Sequence, residues 1–96
     1  MLVLITYDVN TTTADGKRRL RLVAKKCVAH GQRVQNSVFE CLLDEAQYRK
    51  LKAELTQTID TEKDSLRFYE LGNKYQSKVE HVGAKGGYSP EDVLMV

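Results

Sequence analysis

Residues 2–8 have the sequence LVLITYD, and this stretch sets the fold that the rest of the chain must complete. The run from Leu2 to Tyr7 is apolar and rich in β-branched side chains, which predicts a strand buried on both faces. A strand of that kind lies in the middle of a sheet, with neighbours on both sides. Asp8 ends the run, and a polar loop at residues 11–16 follows it.

The segment after this loop predicts an amphipathic helix from Lys17 to about Ala29. Its apolar residues recur at intervals of three and four, so they form one stripe along a helix, made of Leu20, Val23, Ala24, Cys27 and Val28. Thr13 or Asp15 could cap its N-terminus, and Gly31 ends it. One face of this helix is therefore expected to pack on the sheet.

The rest of the chain supplies further strands and a second helix. Val34 and Phe39 are out of phase within the strand predicted at 32–43, which indicates a β-bulge near Asn36 and Ser37. Further elements are a helix from a capping box at Asp44 and Gln47 to Ile59, strands at 65–71 and 78–82, and a terminal strand at 93–96. We therefore predict an α+β, ferredoxin-like βαββαβ domain at 1–82, with 83–96 as a linker and an extra C-terminal strand.

The length of 96 residues allows one domain with a thin core. A thin core and a terminal apolar strand that needs an edge to pair with predict a homodimer. Cys27 and Cys41 fall in apolar periodic segments, so two free buried thiols in a reducing compartment are expected. The apolar run at 2–5 is too short for a signal sequence or a membrane span, so we expect a cytoplasmic protein with no membrane partner.

Positive charge is concentrated in one part of the chain. The net charge is +2, yet residues 9–39 contain one acid, Asp15, against seven basic residues: Lys17, Arg18, Arg19, Arg21, Lys25, Lys26 and Arg33. Arg18, Arg21 and Lys25 fall on the side of the first helix away from its apolar stripe. This row is either a solvated face or a ridge that follows nucleic-acid phosphates, and the absence of interleaved acids favours the ridge.

Asp8 is the strongest candidate for a functional residue. An ionised carboxylate at the end of a buried strand is unfavourable unless something pairs with it. The alternatives are a solvated strand end and an oxygen ligand for Mg²⁺ or Mn²⁺. One carboxylate makes a weak metal site, but a two-fold axis beside the strand would bring a second Asp8 into range.

The polar residues of the second strand are candidates for phosphate contacts. Arg33 and Ser37 lie close to the predicted bulge, which would re-aim their side chains toward phosphate or backbone oxygens. The alternative is an exposed strand face without a ligand. Tyr7 is expected to pack in the core with its hydroxyl group hydrogen-bonded.

Four segments together resemble the small CRISPR-associated spacer-adaptation proteins. They are MLVLITYDV at 1–9, GQRVQNSVFE at 31–40, EKDSLRFYEL at 62–71 and KVEHVGAK at 78–85. The chain is most similar to the branch found in type I-C systems. The resemblance implies ferredoxin-like homodimers, metal-dependent RNase or DNase activity in some members, and the capture of new spacers beside a larger CRISPR integrase subunit.

Residue by residue, the resemblance assigns roles within this sequence. Asp8 matches the family's metal-associated aspartate, Tyr7 the aromatic residue before it, and Arg18 or Arg19 a basic position on the helix. The second-strand motif is matched by Arg33, Ser37 and Phe39. The resemblance implies that a strand near 93–96 is exchanged or added across the dimer.

Two functions of different classes fit these observations. The first is a Mg²⁺-dependent endonuclease that hydrolyses phosphodiester bonds of DNA or RNA at a pair of Asp8 residues. Its predicted catalytic residues are Asp8, Arg33 and Ser37, of which the last two could orient the scissile phosphate from the neighbouring strand. The second is a non-catalytic scaffold that holds duplex DNA on its basic ridge and bridges integrase subunits. A metabolite-binding regulatory domain of the same fold would leave the basic helix and Asp8 unexplained. The endonuclease is the favoured prediction, with duplex DNA as the first substrate to test and RNA as the second.

Overall fold

A computed structural model describes residues 1–83, which form a single antiparallel sheet with two helices. The elements are β1 (Leu2–Asp8), α1 (Ala14–Val28), β2 (Gln32–Gln35), β3 (Val38–Leu42), α2 (Glu45–Thr58) and β4 (Ser65–Gly72). The strand order is β2-β3-β1-β4, and every neighbouring pair is antiparallel. This order and topology confirm the ferredoxin-like βαββαβ prediction and place β1 in the middle of the sheet.

Only one face of β1 is covered by the helices. Val3, Ile5 and Tyr7 are buried in a core that includes residues of both helices. Side chains alternate along a strand, so the even-numbered residues lie on the other face, which we call the open face. Leu4 and Thr6 are half-buried there, and Asp8 is exposed. The prediction that β1 is buried on both faces is therefore wrong toward its C-terminal end.

The segment predicted as one bulged strand is a hairpin of two strands. Asn36 and Ser37 form the turn between β2 and β3, and both residue types favour turns. The phase slip between Val34 and Phe39 arises because the chain reverses direction between them. A register shift does occur, but within the hairpin, between Arg33 and Gln35 of β2.

The two helices have the caps and the packed residues expected for them. The hydroxyl group of Thr13 accepts a hydrogen bond from the Gly16 amide, and Asp44 and Gln47 form a reciprocal capping box. The predicted apolar stripe of α1 is confirmed except at Val28, which is 57% exposed. The hydrophobic helix side chains that are fully or nearly fully buried are those of Val23, Cys27, Tyr48, Leu51 and Leu55.

Both cysteines are free and buried, as predicted. Burial raises the pKa of each thiol to about 12, because the thiolate would lose its hydration. Both side chains are therefore protonated at neutral pH. Among residues 1–83, no helix is long and apolar enough to cross a membrane.

The strand predicted at 78–82 does not form, and those residues are turn and irregular chain. Their hydrogen bonds are local, since the Lys78 amide donates to the Tyr75 carbonyl at 2.8 Å and Lys78 Nζ donates to the Leu71 carbonyl at 3.0 Å. Splitting 32–43 into two strands already completes the four-stranded sheet. The predicted C-terminal strand at 93–96, and the linker beyond Gly83, lie outside the described residues.

Candidate metal and nucleic-acid site

Asp8 lies at the C-terminal end of the central strand, exposed on the open face, with Ser65 of β4 as its cross-strand neighbour. The other side of this strand end is held by the β2–β3 turn. The Tyr7 amide donates to the Ser37 carbonyl at 3.1 Å, and the Tyr7 hydroxyl donates to the Asn36 carbonyl at 3.2 Å. Burial raises the pKa of Tyr7, so the hydroxyl stays a donor. The backbone on which Asp8 is mounted is therefore fixed from both sides.

The loop that follows Asp8 is fixed by a buried carboxylate, Asp64. Its side chain accepts hydrogen bonds from the amides of Asn10 and Asp60, both at 2.9 Å, and from Arg19 Nε at 2.8 Å. Burial alone would raise the pKa of Asp64, but these hydrogen bonds and the positive charge of Arg19 outweigh it and lower that pKa. Asp64 could not be predicted as a functional residue, because the sequence shows only an acidic residue before a strand.

The basic residues of α1 divide into two groups. Arg19 is half-buried and bound to Asp64, and Lys26 is half-buried with Nζ 3.9 Å from a Glu54 carboxylate oxygen. The other four predicted nucleic-acid-binding residues of the helix are exposed to solvent: Lys17, Arg18, Arg21 and Lys25. The prediction that Arg19 contacts phosphate stays a prediction, but its guanidinium is already paired with the Asp64 carboxylate in the folded chain. Of the two adjacent arginines, Arg18 is the one free to contact phosphate.

Arg33 lies on the opposite face of the sheet from Asp8. It pairs with Phe39, which pairs with the core residue Ile5, and its guanidinium carbon lies 5.0 Å from the centre of the Phe39 ring. Phe39 is fully buried and stacks on Tyr7 at 6.1 Å between ring centres. Arg33 therefore packs over a core aromatic pair at the exposed edge strand β2. Within one chain, the structure does not bring it together with Asp8.

Tyr7 packs in the core with its hydroxyl group hydrogen-bonded, as predicted. Phe39 is fully buried in the core of the same chain, where both residues have a structural role. Ser37 is half-buried in the β2–β3 turn and is joined to β1 through its backbone carbonyl. Of the three predicted catalytic residues, only Asp8 is an exposed group on the open face at the end of β1.

The described residues of one chain supply an incomplete set of ligands for a metal ion. Among residues 1–83, no three His, Cys, Asp or Glu side chains are close enough to hold an ion together. Asp8 supplies the hard carboxylate oxygen that Mg²⁺ and Mn²⁺ prefer, and these ions commonly keep several waters and bind substrate phosphates. The residues therefore fit a divalent ion only if a second chain, water or phosphate supplies the other ligands.

Comparison with known proteins agrees with this architecture. The family model described as CRISPR associated protein Cas2 matches residues 1–79. The chain belongs to the Cas2 family. Its match covers all six helices and strands and both residues that define the candidate site, Asp8 and Asp64.

Several Cas2 proteins are similar to this chain over nearly its whole length. The CRISPR-associated endonuclease Cas2 of Halalkalibacterium halodurans is 62% identical over 95 residues, which cover 99% of each chain. The CRISPR-associated endoribonuclease Cas2 of Nitratidesulfovibrio vulgaris is 57% identical over 96 residues, covering 100% of this chain and 94% of that one. The crystal structure of Streptococcus pyogenes Cas2 at pH 6.5 superposes with a TM-score of 0.74 and 58% identity, covering 86% of this chain and all of that one.

Proposed function

We propose that this chain is a CRISPR spacer-adaptation protein whose homodimer hydrolyses phosphodiester bonds of nucleic acid with Mg²⁺ or Mn²⁺ at Asp8. The observation that carries the proposal is the exposed carboxylate of Asp8 at the end of the central strand, in a chain of the Cas2 family. Relatives named endonuclease and endoribonuclease support a nuclease and leave both DNA and RNA as substrates to test.

A homodimer would complete the metal donor set that residues 1–83 of one chain do not supply. A two-fold axis beside β1 would place two Asp8 carboxylates near each other, where like charges repel unless a cation lies between them. The bound ion would supply a Lewis acid for the phosphate and a more acidic water. The chain's own part is to hold Asp8 rigidly, through the Tyr7 hydrogen bonds on one side and the Asp64 hydrogen bonds on the other.

The remaining features of the proposal rest on the family resemblance. We propose that the segment at 93–96 pairs with the sheet edge of the second copy, that a larger CRISPR integrase subunit binds the dimer, and that the chain belongs to the type I-C branch. Sedimentation of the intact chain and of a chain truncated after residue 92 tests the first point. A weaker dimer is expected on truncation, and a stable intact monomer at micromolar concentration would contradict it.

The decisive experiment compares the parent with two matched variants purified identically. Asp8→Asn removes the proposed ligand, and Glu62→Gln removes an exposed carboxylate on the α2–β4 connection. RNA and duplex DNA are incubated with each protein, with Mg²⁺ and with chelator. Cleavage by the parent and Glu62→Gln, but not by Asp8→Asn or with chelator, is expected. Equal cleavage by Asp8→Asn would contradict the proposal and indicate a contaminating nuclease.

A non-catalytic scaffold is the second candidate. It is favoured because residues 1–83 hold no cluster of three metal-ligating side chains, and because the four exposed cations of α1 suit the binding of duplex DNA without its cleavage. If no preparation cleaves at any metal concentration while duplex binding persists, the scaffold function is the correct one.

A further inference from the structure

We propose that Arg67 of β4 is a substrate-binding residue that contacts the nucleic-acid phosphate lying at Asp8. This inference deepens the proposed function and rests on it for the position of the phosphate. The inference arises because Arg33, which is predicted to orient a phosphate at Asp8, lies on the other face of the sheet.

The register of β1 and β4 places Arg67 on the same face as Asp8. Asp8 is paired with Ser65, and Thr6 is paired with Arg67, so Arg67 is the diagonal neighbour of Asp8. Paired residues share a face, and the residues of β4 on either side of Arg67 point into the core instead: Leu66 and Phe68 pack against the buried cluster. Diagonal neighbours are about 7–8 Å apart, a distance that an arginine side chain spans.

In a single chain, the guanidinium of Arg67 is exposed, and no acid of the described residues neutralises its charge. No ion pair that includes Arg67 occurs among residues 1–83, where the ion pairs involve Arg19, Lys26 and Arg49. Its one hydrogen bond there runs from Nη1 to the Tyr69 hydroxyl at 3.2 Å. Tyr69 is also on the open face, paired with Leu4. The tyrosine therefore restrains the arginine on this face, and the other guanidinium donors make no hydrogen bond within the part of the chain that the structure describes.

These features suit a phosphate ligand. Guanidinium groups bind phosphate oxygens with two parallel hydrogen bonds and stay charged at every pH at which the protein folds. A carboxylate with a divalent cation on one strand and an arginine on the next would hold one phosphate from two sides. The diagonal spacing leaves room for a phosphate between Asp8 and Arg67. An arginine paired directly with Asp8 would fill that space.

The test measures duplex binding as a function of salt, at a fixed concentration of Ca²⁺ and again in chelator. Ca²⁺ is a hard cation bound by oxygen ligands, so it can hold a phosphate at Asp8 while the readout remains binding and not cleavage. Arg67→Gln is compared with Arg67→Lys and with Arg49→Gln, an exposed arginine on α2 that pairs with Glu45. For each phosphate that the variant no longer neutralises, the slope of log K against log salt should become shallower by about 0.9, which weakens binding about eightfold at 0.1 M salt. Arg67→Lys should keep the slope, and Arg49→Gln should keep both the slope and the affinity.

Sedimentation of each variant accompanies the binding curves. An unchanged slope in Arg67→Gln would overturn the proposal, as would a weaker affinity explained by a change in oligomeric state. Cleavage by the parent that requires Asp8, together with an unchanged Arg67→Gln slope, would refute this inference alone. A parent that never cleaves refutes the proposed nuclease, and the binding curves then still decide whether Arg67 contacts phosphate.

Discussion

Arg19 of α1 and Asp64 before β4 form an ion pair, with Arg19 Nε donating to Asp64 Oδ2 at 2.8 Å. The side chain of Asp64 has no exposed surface, and its other oxygen accepts the amide of Asn10, two residues beyond Asp8. One carboxylate thus joins α1, the α2–β4 connection and the exit of the central strand. The part of the fold that carries Asp8 depends on this pair.

Asp64→Asn should destabilise the protein at neutral pH by about 1–3 kcal/mol, because an amide cannot accept all the hydrogen bonds that the carboxylate accepts. The pKa of Asp64 is lowered in the folded state from its ordinary value of 3.8. The stability that it contributes is therefore present above pH 3.8 and is lost as pH falls through the lower, folded-state pKa. Thermal unfolding from pH 7 to pH 3 measures the difference between parent and variant.

The Asp64 difference should shrink toward the acidic end of that range. Asp15→Asn is the control, since this acid is exposed in the first turn of α1 and should change stability little. A difference between parent and Asp64→Asn that stays constant from pH 7 to pH 3 would show that the carboxylate charge is not what stabilises the pair.

Arg18 and Arg19 are adjacent in sequence and should behave oppositely. Arg18→Gln removes an exposed cation, so it should leave Tm unchanged and make the slope of log K against log salt shallower by about 0.9 for each phosphate that Arg18 neutralises. Arg19→Gln should lower Tm and leave the slope nearly unchanged, because its charge is already paired with Asp64. Identical effects of the two variants on both quantities would contradict this division.

Gly16→Ala should destabilise the protein, although alanine ordinarily favours a helix over glycine by about 1 kcal/mol. Gly16 is buried in the first turn of α1, and an added Cβ would collide with the carbonyl oxygen of Asn10. Backbone cannot give way as a flexible side chain can, so a decrease of roughly 1–3 kcal/mol is expected on denaturant unfolding. A gain in stability would show that the loop after Asp8 is free to move.

The elements defined by local pattern could be predicted from the sequence. The stripe of α1, the capping box at Asp44 and the strand beginning at Ser65 all depend on residues within one or two turns of each other. The hairpin at Asn36 was missed because its polar turn interrupts the alternation as a bulge would. The prediction of a strand at 78–82 depends on apolar spacing alone. That spacing does not show that four other strands already form the sheet.

The candidate site was predictable only in part, because the residues that surround it are distant from one another in the sequence. Asp8 ends an apolar run, so the sequence marks it. Which arginines share a face of the sheet with Asp8 depends on the strand register. Arg33 lies on the opposite face because it pairs with Phe39, and Arg67 lies on the same face because it pairs with Thr6. Asp64 lies 45 residues from Arg19, and no local pattern connects them.

Mg²⁺ should stabilise the parent protein but not Asp8→Asn. If the two carboxylates of a dimer lie close together, they repel each other in the absence of metal and both bind the ion in its presence. A ligand that binds only the folded state at a hundred times its Kd adds about 2.7 kcal/mol to the free energy of unfolding. Without metal, Asp8→Asn should be at least as stable as the parent, because the substitution removes the repulsion.

Thermal unfolding of parent, Asp8→Asn and Glu62→Gln, each in chelator and in Mg²⁺, measures this effect at fixed protein concentration. Glu62→Gln should gain as much stability from Mg²⁺ as the parent, because its exposed carboxylate is not at the end of β1. Because the readout is stability, it tests the metal site whether or not the protein cleaves nucleic acid. An equal gain in Asp8→Asn would place the ion elsewhere, and Asp8 would then be a solvated strand end without a metal.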